Sequence, residues 1–427
     1  MFRAGRGGPA PGAAPWIFAL LALDKADRPM QPAYSLDSVR KAFPIAEQMT
    51  YLNHASIAPI PRPAQDAIHQ AADQLTSDPA GFFAPSGNPP ADLFTRFSTE
   101  MAHYVNAAHP QEIVPLTSTS GGMNILARAV DWSPGDNAVM CDVEFPSNVY
   151  PYMALAGQGV ELRLVPADQG GLTLAALEQG VDDRTRVVVV SSVQFLSGHR
   201  ADLAALGAFC RQRDILFMVD AIQSAGHIPI DVQAEQIDVL LSGGHKSLMG
   251  APGAGVLYVR EEAAERMRFS TIGSNAVEGW DHWLHYDTTP RRAALRFMLG
   301  TPSMIDLIAL LASTRFLCSL GVANIDAWTS HLGTVAIDDL SARGYSVITP
   351  RDPALRGPIV TFRVAGDTLD DANQTAANFM AALKAANIRV TRHLDAEGWP
   401  HIRLSMHCFN TEDEVLRVGA ALEAASQ

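Results

Sequence analysis

The sequence predicts an α/β fold, a mostly parallel sheet covered by helices on both faces, followed by a smaller α+β unit. Three observations support it. From about residue 112, short β-branched runs alternate with helical stretches; the runs are almost wholly apolar; and near Gly300 the alternation gives way to long helices and a second set of strands. Near-continuous apolar strands separated by helices belong in a sheet buried on both sides.

The elements follow in chain order. Strands are expected at Asn137–Cys141, 160–165, 186–191, 215–219, 237–241 and Gly255–Val259. A covering helix is expected over 201–213, with Leu203, Leu206 and Phe209 on one face and Arg200, Arg211 and Arg213 outside it. Long helices are expected at about 303–321 and 325–343, then a strand near 358–364, a helix over 370–386, strands at 388–391 and 401–405, and a closing helix from Thr411. The domain reading is an extension over 1–33, a large domain over 34–300 whose first part, 34–60, is an arm, and a helical connection with a small domain over 301–427.

Composition narrows the function classes. With 427 residues, 48% of them hydrophobic and 18% charged, the chain supports a deep core. Its 32 Lys and Arg against 45 Asp and Glu leave a formal charge of −13, which repels nucleic acid. No run of eighteen apolar residues suggests a membrane span. Cys141, Cys210, Cys318 and Cys408 lack metal-type spacing and fit a reducing cytoplasm. The stretch up to Pro32 resembles a signal peptide on the surface. Asp24 and Lys25 follow its apolar run with no small-residue cleavage site, so it is read as an extension or an upstream start, with Met30 as the alternative start.

Ligands of open α/β sheets bind beyond the carboxyl ends of the strands. Two chemically unusual residues fall there. Asp220 ends the apolar run beginning at Ile215, and Lys246 follows the run Leu240-Leu-Ser-Gly-Gly-His, 26 residues later. Each alone has an ordinary explanation, Asp220 as a turn cap and Lys246 as a solvated loop residue. Together they suit pyridoxal phosphate: the lysine bonds its aldehyde and the acid keeps its ring nitrogen protonated. Gln223, three positions beyond Asp220, is placed to donate to the ring hydroxyl. The run Thr117-Ser-Thr-Ser-Gly-Gly, which includes Thr119, Ser120 and Gly121, precedes an expected helix over 123–130 and offers donors to a phosphate. His245 separates glycine from lysine, which excludes a P-loop.

These residues resemble the class V aminotransferase group of fold-type I pyridoxal phosphate enzymes, which includes cysteine desulfurases, isopenicillin N epimerase and kynureninase. The resemblance runs from Tyr51-Leu-Asn-His-Ala-Ser to Thr411-Glu and is most specific from Val219-Asp-Ala-Ile-Gln-Ser-Ala-Gly to Gly244-His-Lys246. It implies a seven-stranded sheet and a homodimer with its sites near the interface. It also implies Lys246 as the Schiff-base lysine, Asp220 at the pyridine nitrogen, Gln223 at the ring oxygen, Thr119, Ser120 and Gly121 at the phosphate, and His245 beside the lysine. Phe145 matches the residue that stacks on the ring, Gln194 lies where relatives often place an Asn, and Arg403 matches the grip on the substrate α-carboxylate.

Two departures bear on the reaction. Desulfurases carry a reactive cysteine upstream of this arginine, and residues 388–400 contain none. Gly243 stands where many relatives have a phosphate-binding serine, and neighbouring Ser242 points the other way in a strand. His282 and His285 lack a matched third ligand, so no metal is expected. They and Thr301 are expected near the mouth of the site or a partner subunit. The resulting expectation is an amino-acid aminotransferase or β-lyase. Cysteine desulfurase or selenocysteine lyase and an epimerase are the enzyme alternatives, and a non-catalytic cofactor-binding protein is the remaining one.

Overall fold

The computed structural model describes residues 35–83, 93–279, 281–282 and 284–425. The expected extension over 1–33 lies outside them. The strands are β1 (Thr50–Tyr51), β2 (Ile113–Leu116), β3 (Asn137–Cys141), β4 (Glu161–Val165), β5 (Thr185–Ser191), β6 (Leu216–Asp220), β7 (Val239–Gly243), β8 (Gly255–Val259), β9 (Ser346–Val347), β10 (Ile359–Arg363), β11 (Ile388–Arg389), β12 (Thr391–Leu394) and β13 (Pro400–Ser405). Seven of them form one sheet in the order β2-β8-β7-β6-β5-β3-β4. Only β8 runs against its neighbours, on both sides.

Alternate residues of each central strand enter different cores. Val188, Val190, Phe217, Val219 and Leu240 pack on one face, and Val187, Val189, Met218, Val239 and Leu241 on the other. This is why the strands read as unbroken apolar runs: both faces are covered, and each fully buried Val or Leu contributes roughly 1.5–3 kcal/mol. The same alternation aims Asp220 toward the second face, with Leu216 and Met218. Ser242, fully buried, follows Leu240 toward the first.

The second sheet has the order β12-β13-β10-β9. Ile402, Leu404, Val360 and Phe362 point into a core with the helices Leu369–Ala385 and Glu412–Ala425. Arg403, one position out of phase, therefore points away from that core. β1 pairs with β11, and Asn53 bridges to Ser405, so the segment after residue 50 runs beside the second sheet. Helices Met304–Leu320 and Val322–Ala342 connect the two sheets. Among the described residues, no single helix is long and apolar enough to cross a membrane.

One element differs from its expected bounds in a way that matters. The helix expected over 123–130 begins at Thr119, capped by the Ser118 hydroxyl, which accepts from Gly121 N. Glycine is a poor helix former, which hides this start. Packing supplies the reason for the glycine, since a Cβ on Gly122 would meet Leu116 at 2.8 Å.

Candidate active site

Asp220 and Gly243 end neighbouring strands, with Ser191 beside Asp220 in register. Just past Gly243 the chain turns tightly: Gly244 N donates to Ala254 O at 2.8 Å and Gly250 N to Gly244 O at 2.7 Å. A Cβ on Gly244 would sit 2.8 Å from Ala254 O and 3.0 Å from Leu310, so only glycine lets this turn lie against the helix Met304–Leu320. Lys246 emerges from that turn, half-buried, with its Nζ 5.2 Å from the centroid of the Phe145 ring.

Burial pulls the Lys246 ammonium down from 10.5 to about 8; the Asp220 carboxylate opposes that shift and Arg403 adds to it. Burial also pushes the Asp220 carboxyl up from 3.8 to about 6, helped by the nearby Glu144 carboxylate and opposed by the Ile222 N–H, Lys246 and Asn148. A buried acid held this close to neutral is stabilised by a cation beside it. A protonated pyridine nitrogen is such a cation, so the strand-end acid and the desolvated amine fit the cofactor.

Beneath Asp220 lies a buried network centred on Glu144. Its Oε1 accepts from Ser191 N at 2.8 Å and Gln194 Nε2 at 2.7 Å, and its Oε2 from the Ser191 hydroxyl at 2.6 Å and Asn148 Nδ2 at 2.9 Å. Gln194 Oε1 and Asn148 Oδ1 are left buried without partners. Glu144, Asn148 and Ser191 were given no role in the sequence reading. The available signal is an acid and an Asn four apart at a helix start, with Ser191 ending an apolar run.

Thr119 is buried and its hydroxyl accepts from Gly243 N at 3.0 Å, which leaves its own proton to donate. Ser120, exposed, shares a 2.6 Å hydrogen bond with Ser147. Gly121 spends its N–H on the Ser118 cap, so the Thr119 and Ser120 N–H groups, with no carbonyl one turn back, are the helix's donors to an anion. The side chain of His245 lies against Gly243, where a Cβ would meet its ring at 3.3 Å, and burial lowers its pKa.

The segment after β1 closes one wall. Gln223 Nε2 donates to Ala55 O at 3.0 Å, Ala58 N to His245 O at 2.9 Å, and Ser56 Oγ accepts from Arg403 Nη2 at 2.9 Å. Arg403 is 2% exposed; its Nη1 donates to Phe195 O at 2.6 Å and its Nε has no partner. Burial holds it at about 10. Lys246, Asp220, Gln223, Phe145, Gln194, Thr119 and Arg403 thus surround one end of the large sheet. His282, His285 and Thr301 lie on the exposed surface.

The arrangement has counterparts among known proteins. A family model described as Aminotransferase class-V matches residues 50–418. A cysteine desulfurase of Cronobacter sakazakii is 28% identical over 91% of this chain and 98% of its own. An uncharacterized aminotransferase of Schizosaccharomyces pombe is 26% identical over 91% of this chain and 95% of its own. Among solved structures, an apo cysteine desulfurase from Thermococcus onnurineus shares the fold with a TM-score of 0.80 at 23% identity, covering 93% of this chain and all of that one.

Proposed function

The chain belongs to the class-V aminotransferase family, whose cofactor is pyridoxal phosphate, and from that premise we propose that it acts on the α-carbon of an amino acid as an aminotransferase or β-lyase. The observation that carries the reading is the meeting of a desolvated Lys246 with a buried Asp220 and a buried Arg403. When bound, the cofactor supplies an aldehyde that captures amines and a conjugated ring that accepts the electron pair left at Cα. Every other part falls to side chains of this chain.

In this reading Lys246 would bond the cofactor's aldehyde and, as a free amine, would take the Cα proton and return it. Its lowered pKa keeps a usable fraction as the free base near neutral pH. Asp220 would hold the proton on the ring nitrogen, its carboxyl kept in place by the Ile222 N–H and by Asn148, which Glu144 holds in turn. Arg403 takes the α-carboxylate through the N–H groups it does not spend on Phe195 and Ser56. Phe145 covers the ring without being able to carry a proton, and Thr119 with Ser120 and the first helical turn holds the phosphate. Gln223, Gln194 and His245 complete the cradle.

A second reading, cysteine desulfurase, is favoured by what the relatives are called. Against it, residues 388–400 hold no cysteine, and Cys408 is fully buried with its thiol pushed well above the ordinary range by burial. A lyase that releases its product directly does not need that cysteine. We further propose a cytoplasmic homodimer; the cysteines form no disulfide among the described residues, which fits a reducing compartment, and exposed Tyr150 and Met153 beside the site fit an interface. The test is the purified holoenzyme with a panel of amino acids, following keto acid, ammonia and sulfide. Keto acid formation supports the reading; sulfide from cysteine at enzymatic rates replaces it with the second.

A further inference from the structure

We infer that His393, backed by Phe195, receives the substrate's side chain and selects amino acids that carry a second anionic group there. The inference rests on the reading of Lys246 and Arg403 given above. In β12 and β13, Thr391 pairs with Arg403 and His393 with His401, so all four side chains stand on one face of the second sheet. That face meets the large sheet's loop at Phe195, whose carbonyl accepts from Arg403.

Phe195 joins the parts into one wall. Its ring meets Phe145 edge-on at 5.2 Å and His393 edge-on at 5.7 Å, so a continuous surface runs from the lysine to the imidazole. His393 Nε2 is buried without a hydrogen-bond partner, as is Arg403 Nε on the same sheet face. Buried polar atoms are normally paired, and an unpaired one in a ligand cleft marks where a ligand atom belongs.

Charge decides which ligand. The ionisable groups that bear on His393 are Arg403, Lys246 and His401, each cationic or able to become so, and no carboxylate stands among them. Burial first, then those cations, hold the imidazole near 4, so it is neutral when nothing is bound. An anionic side-chain group both accepts from Nε2–H and relieves the positive field. An amide or a methyl group offers no such relief.

The test uses holoenzyme with L-aspartate against L-asparagine and L-glutamate against L-glutamine, pairs that differ in charge at nearly constant shape. A kcat/KM preference for the acid of roughly tenfold or more is expected, because a site built around a charged hydrogen bond rejects the analogue lacking it. α-Methylaspartate, which has no Cα hydrogen, should show the same preference over α-methylasparagine in calorimetry. His393→Gln and His393→Phe should keep the cofactor's visible band while losing most of the acid preference through KM, the Phe variant more completely. An equal or reversed preference in the wild type, no binding of either acid, or a ratio unchanged in whichever variant folds overturns the inference. A wild type with no cofactor band overturns the reading of Lys246 beneath it, and this inference with it.

Discussion

The free-base character of Lys246 is directly measurable in the apoprotein. An ordinary lysine with a pKa near 10.4 presents about one free amine in 2,500 at pH 7. Held at about 8, Lys246 presents about one in ten, an advantage of roughly two hundredfold toward any aldehyde or acylating reagent. The rate of reductive trapping with pyridoxal phosphate, or of single-site acylation followed by peptide mapping, should rise with pH and level off above a midpoint near 8. Asp220 favours the ammonium and is itself ionised above about 6, so Asp220→Asn removes that support and should move the midpoint downward. Arg403→Ala removes a neighbouring cation and should move it upward. A rate at Lys246 that climbs unbroken past pH 10, or an Asp220→Asn variant whose midpoint rises, refutes the electrostatic account of the site.

Two further outcomes follow. His54, His227 and His407 form a buried cluster behind the Lys246 turn, with His227 and His407 rings 3.8 Å apart and His407 bonded to Ser247 O. Burial holds His407 near 4 and the other two well below the ordinary value, so the fold keeps them neutral. Their stability contribution is complete above about pH 6.5 and falls away below it, by about 1.4 kcal/mol per group per pH unit. The raised carboxyls of Asp220 and Glu235 act in the opposite direction, so the diagnostic is a difference. Between pH 7.5 and 5.5 His227→Phe should lose about 1.4 kcal/mol less than the wild type in urea unfolding, and equal losses would count against a neutral cluster. Separately, on the proposed role of Arg403, Arg403→Ala leaves the α-carboxylate without its partner. Steady-state kinetics should show kcat/KM reduced by about a hundredfold, since truncating a buried charged pair costs about 2–5 kcal/mol; near-normal turnover would remove this assignment.

The fold was readable because its signal is local. Val187 to Val190 and Leu216 to Val219 are apolar without a break, which only a doubly covered strand requires, and Asp220 and Lys246 stand out against those runs. The early start of the helix at Thr119 was not readable, because Gly121 and Gly122 argue against a helix until the contact with Leu116 is known. Glu144 drew no role since two of its partners, Ser191 and Gln194, lie 47 and 50 residues away and meet it only when two strands and a helix assemble. Arg403 was legible by resemblance alone, and its ties to Phe195 and Ser56 depend on tertiary structure. His393 sits in a strand with charged neighbours whose pattern looks like a loop, so its position beside Arg403 depends on the register of β12 against β13.

The most direct test of the central claim is the absorption spectrum of the protein purified with pyridoxal phosphate, compared between wild type and Lys246→Ala. A visible band in the wild type, resistant to dialysis, discharged by an added amino acid and absent from the variant, is the predicted result. A wild type that stays colourless with cofactor present, or a variant that keeps the same dialysis-resistant band, would contradict Lys246 as the residue that bonds the cofactor.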